Sequence, residues 1–174
     1  DNVIIAPTGL KTKVMDMEYE HTKHKEAHKG THVACLLEGI SRKDVKRGYV
    51  VLALIPNKKP QILVSEFTAH VISASNHIYE GNMLRFGHTK SAKKKCSVTK
   101  VIGCLKVETH EVVEPKQPKK LSNDEIGIIR IKPSSPMYCC TKKESNYYGS
   151  LFLRVEGQHQ IIAVGSIVSV SYVE

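Results

Sequence analysis

Apolar and polar residues alternate along this chain in short segments, a pattern typical of β-strands that bury one face. The segments are rich in Val, Ile, Thr and Tyr, and turn residues such as Thr8-Gly9 and Glu80-Gly81 separate them. No window keeps apolar residues at helical spacing over three turns. The pattern therefore predicts an all-β protein, with strands near residues 2–6, 11–19, 31–37, 49–55, 66–74, 82–88, 98–109, 125–131, 150–155 and 161–173.

A segment bounded by prolines divides the chain. The sequence Pro-Asn-Lys-Lys-Pro contains two residues that cannot donate to a sheet ladder, so we predict a linker over residues 56–65. The first unit then covers residues 1–55 and the second covers residues 66–174, with a long surface loop at 114–120. Four strands would leave the first unit with an open edge and a half-covered apolar face. We therefore expect further strands from the upstream chain or from another molecule.

Charge and cysteine content narrow the possible functions. The 26 Lys and Arg residues exceed the 17 Asp and Glu residues, and the net charge of +9 favours phosphate-rich partners such as RNA and the ribosome. Five cysteines without a C-x-x-C pair favour a reducing, cytoplasmic location over a disulfide framework or a zinc ribbon. The longest apolar run, 49–55, is too short for a membrane helix. The start at Asp1 has neither an initiator Met nor a signal peptide, so we expect a piece of a longer, soluble protein.

Three segments resemble one protein family, in the order in which that family has them. Residues 39–51 resemble a stretch in the second domain of elongation factor 1A and of bacterial elongation factor Tu, where mixed charges precede Arg-Gly and a final strand. Residues 67–72 resemble the first strand of the third domain, and residues 148–157 with 162–165 resemble its close. The chain thus resembles the C-terminal part of a eukaryotic translational GTPase of the elongation factor 1A, release factor 3 and Hbs group.

This resemblance implies two small β-barrels in tandem. Residues 1–55 would be the C-terminal part of the domain II barrel, and residues 66–174 would be the Greek-key barrel of domain III. It also implies that the full-length protein binds GTP and Mg²⁺ in an upstream G domain, whereas this chain has no G-x-x-x-x-G-K-[ST] phosphate loop. We therefore expect no catalytic residue, cofactor site or metal site in the chain itself. The D-x-x-G match at 124–127 and the partial N-K-x-D match at 57–60 are interpreted as chance.

The position of the chain within this group depends on a few short matches. Arg-Val-Glu-Gly at 154–157 and Leu-Leu-Glu-Gly-Ile at 36–40 resemble release factor 3, whereas residues 43–48 resemble elongation factor 1A. We favour a release factor 3-like module, which the resemblance implies would dock the tRNA-shaped release factor 1 during termination. Three alternatives remain: aminoacyl-tRNA delivery as in elongation factor 1A, ribosome rescue with a homologue of release factor 1 as in Hbs-type GTPases, and a stand-alone RNA-binding β-barrel.

The resemblance also implies a partner-binding surface at the close of domain III. Its residues would be Tyr148, Gly149, Arg154 and Glu156. Arg and Tyr are suitable anchors because they combine contact area, stacking and forked donors. Ser150 replaces an Arg of the family pattern, and an ordinary turn at the end of a strand is the alternative interpretation.

A second candidate surface is basic. The densest positive cluster consists of Lys90, Lys93, Lys94 and Lys95, and we predict an exposed loop whose lysines contact phosphates of tRNA or ribosomal RNA. The alternative is a solvated β-turn without a partner. Lysines of the predicted 114–120 loop could extend the same field, namely Lys116, Lys119 and Lys120. Few aromatic residues accompany these lysines, so we expect no base stacking on this surface.

Two other groupings of reactive side chains have simpler interpretations. His21, His24, His28 and His32 stand three or four residues apart, and on a helix the last three of them would share a face that could bind zinc. Intervening lysines and a glycine favour an exposed hairpin loop near RNA instead. Cys139 and Cys140 lie where the resembled family has a strand with Cys or small apolar residues, so the resemblance implies that they are buried in a strand and not reactive.

Overall fold

A computed structural model describes residues 1–75, 78–88, 93–105, 111–113, 120–122 and 125–173. Every regular element in these residues is a β-strand, which confirms the predicted all-β class. In this part of the chain no helix is long and apolar enough to cross a membrane. The chain forms two compact units, Asp1–Ile62 and Leu63–Glu174.

The first unit is an open antiparallel sheet. Its strands are β1 (Asn2–Ala6), β2 (Leu10–Tyr19), β3 (Thr22–Lys23), β4 (Ala34–Leu37) and β5 (Val50–Ala53). β1 lies between β2 and β5, and β2 also pairs with β3 and β4. The four apolar residues 3–6 of β1 are buried, whereas Leu36 of β4 and Val51 of β5 are exposed. Burial in this unit is therefore concentrated on its central strand, β1. Apolar side chains on the outer strands β4 and β5 remain exposed.

The second unit is a closed barrel of six long strands. Its strands are β6 (Val64–Ser73), β7 (Ile78–Tyr79), β8 (Met83–Gly87), β9 (Lys93–Leu105), β10 (Val112–Val113), β11 (Lys120–Leu121), β12 (Ile126–Pro133), β13 (Ser150–Val155) and β14 (Ile161–Tyr172). Antiparallel neighbours follow the order β9-β12-β6-β14-β13-β8, and β8 pairs with β9 to close the sheet. Closure leaves the six long strands without a free edge.

Alternate residues of the barrel strands fill its interior. Leu84 and Phe86 of β8, Leu153 of β13 and Val98 of β9 are almost completely buried. The rings of Phe67 and Phe86 pack with their centroids 5.2 Å apart. Because directly opposite residues of an antiparallel pair share one face of the sheet, the strand register also decides which outward side chains meet.

Three differences from the sequence-based prediction concern residues that were singled out in the sequence. β9 begins at Lys93 and not near residue 98, because residues 93–95 extend the ladder with β8; the predicted loop location was therefore wrong for them. Lys120 lies in β11 and not in the predicted 114–120 loop, whose other residues are outside the described part of the chain. Cys139 and Cys140 are buried as predicted, but they lie in an irregular segment between β12 and β13.

Candidate docking face of the C-terminal barrel

Three cationic side chains lie side by side on the outer wall of the barrel. Arg154 of β13 is directly opposite Arg85 of β8, and Arg85 is directly opposite Lys95 of β9. Opposite residues share a face, and the neighbouring interior positions Leu153 and Phe86 are buried, so these three side chains point outward. We call Arg154, Arg85 and Lys95 the cation row.

One carboxylate is paired with the cation row. Glu156 Oε1 accepts from Lys95 Nζ at 2.7 Å and from Arg85 Nη2 at 3.2 Å. The hydrogen bond from Lys95, with a further contribution from Arg85, holds the pKa of the Glu156 carboxyl below its ordinary value. All three side chains are well exposed, at 37% to 51%, so these pairs contribute little to stability. Three cations and one carboxylate leave this part of the wall with a net positive charge.

Arg154 does not pair with Glu156. Its guanidinium carbon lies 5.0 Å from the centroid of the Phe152 ring, in the position of a cation–π contact. Its Nε atom is buried, and no acceptor for it is found among the described residues. The hydrogen-bonding capacity of Arg154 is therefore incompletely used within the described part of the barrel.

Tyr148 and Gly149 lie in the turn before β13. The half-buried Tyr148 ring contacts the rings of Tyr138 and Tyr147, with centroids 5.6 and 5.0 Å away. Gly149 is buried, and a Cβ atom added to it would lie 2.3 Å from the backbone nitrogen of Lys142. The missing side chain thus lets two backbone segments pack closely. These two predicted partner-binding residues are placed to shape the turn that precedes Arg154.

His88 connects the end of β8 to this turn. Its Nδ1 lies 2.8 Å from the Ser150 carbonyl oxygen, and because a carbonyl can only accept, Nδ1 carries the proton and donates it. The ring also packs edge-on against Phe86, with centroids 4.7 Å apart, and against Tyr148 at 6.0 Å. Burial lowers the pKa of His88, and the hydrogen bond to Ser150 opposes this in part. His88 is thus held neutral beneath the turn.

We expect acid to destabilise the barrel through His88. The pKa of His88 is lower in the folded protein than its ordinary value of 6.5 in the unfolded chain. The neutral ring therefore contributes its full stability above pH 6.5, and this contribution is lost as the pH falls from 6.5 through the folded-state pKa. Urea unfolding of wild type, followed by tyrosine fluorescence, should show lower stability at about pH 5.5 than at about pH 7.5. His88→Asn, which keeps a donor near Ser150, should be less stable at neutral pH but less sensitive to acid.

The control for this experiment is His159→Asn, at an exposed position. It should keep the acid sensitivity of the wild-type protein. Equal acid sensitivity in the His88→Asn variant and in wild type would contradict the assignment to His88.

The structure separates the predicted lysine cluster. Lys95 points outward in the cation row, whereas Lys94 is opposite the buried Phe86 and thus on the other side of the sheet. Lys94 Nζ donates to Ser135 Oγ at 3.2 Å. Lys90 and the side chain of Lys93 lie outside the described residues. Successive residues of a strand point to opposite faces, so Lys94 and Lys95 are not neighbours on one surface.

Arg85 and Phe152 are the site residues that sequence reasoning missed. Alternation along β8 could have placed Arg85 on the outer wall, because Leu84 and Phe86 on either side are apolar. Its position beside Arg154 and Lys95 depends on the pairing of three strands from distant parts of the chain. No sequence pattern in the single chain gives that pairing.

The other reactive side chains show simple packing roles. His24 stacks on Tyr19 with ring centroids 3.5 Å apart. In the described part of the chain, no group of three or more His, Cys, Asp or Glu residues is placed to hold a metal ion. Burial raises the pKa of both Cys96 and Cys139 to about 12, so these thiols stay protonated near neutral pH and are poor nucleophiles.

Comparison with known proteins extends this description. Residues 66–168 match the family model described as GTP-eEF1A C-terminal domain-like. The chain is 29% identical over 181 residues to elongation factor 1-alpha of Metallosphaera sedula, covering 100% of this chain and 39% of that protein. It is 26% identical over 175 residues to elongation factor 1-alpha of Desulfurococcus mucosus, a match that covers 98% of this chain and 38% of that protein. A crystal structure of Sup35 complexed with GDP is similar to this chain, with a TM-score of 0.82 and 21% sequence identity. The match covers 98% of this chain and 40% of the Sup35 chain.

The closed barrel and these matches define a class of protein, the C-terminal domains of translational GTPases. The chain belongs to the GTP-eEF1A C-terminal domain-like family. It spans about two fifths of the length of the curated relatives that it matches.

Proposed function

We propose that this C-terminal domain docks a tRNA-shaped protein of the release factor 1 type during translation termination. The docking face is the outer wall formed by β8, β9 and β13, with Arg85, Lys95, Phe152, Arg154 and Glu156. The observation that carries the proposal is the position of Arg154, whose guanidinium lies over Phe152 without a carboxylate partner among the described residues. An Arg and an aromatic ring together are typical anchors of a protein interface.

Tyr148 and Gly149 would contribute mainly by holding the turn that leads into β13. Gly149 is buried against the backbone of Lys142, and the half-buried ring of Tyr148 packs against the rings of Tyr138 and Tyr147. Only the neighbouring Tyr147 is largely exposed, at 55%. We therefore propose Arg154 as the direct contact, and the Tyr148-Gly149 turn as its support.

The proposed role of the chain is binding, not catalysis. GTP hydrolysis, with its Mg²⁺ ion, is proposed for a G domain of the full-length protein, because this chain contains no phosphate loop. Binding to the ribosome would accompany partner docking, since the net charge of +9 favours RNA phosphates.

A second candidate function is delivery of aminoacyl-tRNA, as in an elongation factor. The cation row supports it, because phosphate contacts fix the position of a nucleic acid on a protein. The two curated relatives compared above are both elongation factor 1-alpha proteins. Ribosome rescue is a third possibility, in which the docked protein is the rescue homologue of release factor 1.

Titration of the chain with three labelled partners distinguishes these functions. The partners are a release factor 1-type protein, its rescue homologue and an aminoacyl-tRNA. The proposal expects the release factor to bind most tightly, and each factor of ten in Kd corresponds to about 1.4 kcal/mol. Tightest binding of the aminoacyl-tRNA would overturn the proposal in favour of delivery, and tightest binding of the rescue homologue would assign the domain to ribosome rescue.

Contact with RNA phosphates should depend on Lys95 and not on Lys94. Lys95→Ala removes an outward cation, so it should weaken binding to ribosomal RNA and reduce the slope of log K against log salt by roughly 0.7 to 0.9. Lys94→Ala is the matched control, because Lys94 lies on the other side of the sheet and donates to Ser135. Equal slopes for the two variants would remove Lys95 from the RNA contact.

A further inference from the structure

Lys142 folds its side chain across the turn that precedes β13. Its Nζ donates to Ser150 Oγ at 2.6 Å and lies 3.5 Å from the Asn146 carbonyl oxygen. Ser150 Oγ itself donates to that carbonyl at 2.5 Å, so its lone pairs are free to accept from the ammonium group. The Lys142 backbone is fixed as well, because its nitrogen donates to the Ile167 carbonyl at 2.8 Å. The ammonium group is therefore held at Ser150, the first residue of β13.

The charge of Lys142 is not neutralised within the described part of the chain. Its ammonium group takes part in none of the ion pairs found there. Glu144, two residues away in sequence, instead accepts from the backbone nitrogen and the hydroxyl of Thr141, at 2.9 and 2.8 Å. An ammonium group has three donors, and the turn uses two of them. One donor and the full charge thus remain for a partner.

This charge extends the docking face along β13. Ser150, Phe152 and Arg154 are alternate residues of that strand, and the two leucines between them are buried. The three residues therefore share the outward face, with Lys142 Nζ at one end and the Arg154 guanidinium at the other. A strand advances about 3.3 Å per residue, so the backbone positions of Ser150 and Arg154 are about 13 Å apart.

An apolar surface lies between these two cations. Phe152 is half-buried, and its direct register partner on β14, Val164, is 48% exposed. Opposite residues of an antiparallel pair share one face, so the two side chains are neighbours on the outer wall. The outward face of β13 thus presents a cation, an apolar group and a second cation in sequence. The complementary surface of a protein carries an apolar side chain between two carboxylates.

We propose that Lys142 is a second anchor of the docking face and determines its specificity, by selecting a partner with a carboxylate on each side of an apolar group. One carboxylate would meet Lys142 and the other Arg154. This inference rests on the proposed docking of a release factor 1-type protein. Ser150 stands where the family pattern has an Arg, and Lys142 brings a cation to the same place from another segment of the chain.

Binding of the full chain to a release factor 1-type protein at two salt concentrations tests the role of Lys142. Lys142→Ala should weaken binding about fivefold at about 50 mM salt and less than about twofold at about 500 mM, because salt screens an exposed ion pair. Lys143→Ala is the matched control, since it removes the same charge from the next residue, which is also exposed. It should change the Kd less than about twofold. Both variants should melt close to wild type, because exposed charges contribute little to stability.

A rescue variant tests whether the position of the charge is what matters. In a protein that carries Lys142→Ala, Ser150→Arg should restore most of the affinity, whereas Ser150→Ala should restore none. The inference is overturned if Lys142→Ala binds like wild type, if Lys143→Ala weakens binding equally, or if the loss is the same at both salt concentrations. Failure of Ser150→Arg to restore binding would also overturn it, by assigning the loss to the shape of the turn.

Two further outcomes separate this inference from the proposed function. If Arg154→Ala weakens binding of the release factor 1-type protein and Lys142→Ala does not, the docking function stands and the role of Lys142 is wrong. If the wild-type chain does not bind that protein, both are wrong. Weaker binding of an aminoacyl-tRNA by Lys142→Ala, with no change for the release factor, would likewise overturn the inference and assign Lys142 to a nucleic acid.

Discussion

Replacing Gly149 by alanine should lower the melting temperature of the C-terminal barrel by about 10 °C, the equivalent of roughly 2 to 3 kcal/mol for a domain of this size. The new Cβ would lie 2.3 Å from the backbone nitrogen and 2.4 Å from the Cα of Lys142. Backbone atoms cannot rotate away as a flexible side chain can. The carbonyl of Gly149 also accepts from Ile167 N at 2.8 Å, so relief of the clash would disturb β14. Thermal unfolding followed by circular dichroism measures this change.

Gly157→Ala is the matched control for Gly149→Ala. Gly157 has a φ of +81° and open space around its added Cβ, so its substitution costs backbone strain without a clash. Strain of this kind is about 1 to 2 kcal/mol, and the melting temperature should fall less than in Gly149→Ala. If Gly149→Ala has the same melting temperature as wild type, the two backbone segments can separate at little cost in free energy.

The barrel strands could be predicted from the sequence because their two faces differ in polarity. β13 shows this clearly, since Leu151 and Leu153 point inward while Phe152 and Arg154 point outward. Such alternation indicates which side chains are buried, and it can be recognised in one segment without knowing which strands lie beside it. The two-residue strands β3, β7, β10 and β11 are too short to show it. Three successive lysines at the start of β9 also conceal it, because all three positions are charged.

The candidate site was predicted only in fragments. The sequence gives two separate groups, one around Arg154 and Glu156 and the other at residues 90–95, with no reason to place them together. The structure joins them, because β8 pairs with β13 on one side and with β9 on the other. It also pairs Glu156 with Lys95 across the two groups. Strand register depends on tertiary packing, so a single sequence cannot show that Arg85 lies between Arg154 and Lys95.

Arg154→Ala should weaken the binding of a release factor 1-type protein more than tenfold. Truncation of a central Arg at a protein interface commonly costs about 2 kcal/mol or more, and each factor of ten corresponds to about 1.4 kcal/mol. The melting temperature should change little, because Arg154 has no carboxylate partner among the described residues and its removal relieves repulsion with Arg85. Binding titration and a thermal melt on the same protein measure the two quantities.

Two further variants make the Arg154 test specific. Arg154→Lys keeps the charge but loses the planar fork, so it should recover only part of the affinity. Arg130→Ala removes one positive charge from β12, where Arg130 lies 3.7 Å from Glu66, and it should leave partner binding near the wild-type value. If Arg154 instead braces the barrel, Arg154→Ala will melt at a lower temperature and bind normally per folded molecule. That result would remove Arg154 from the docking face and leave the proposed function without its main anchor.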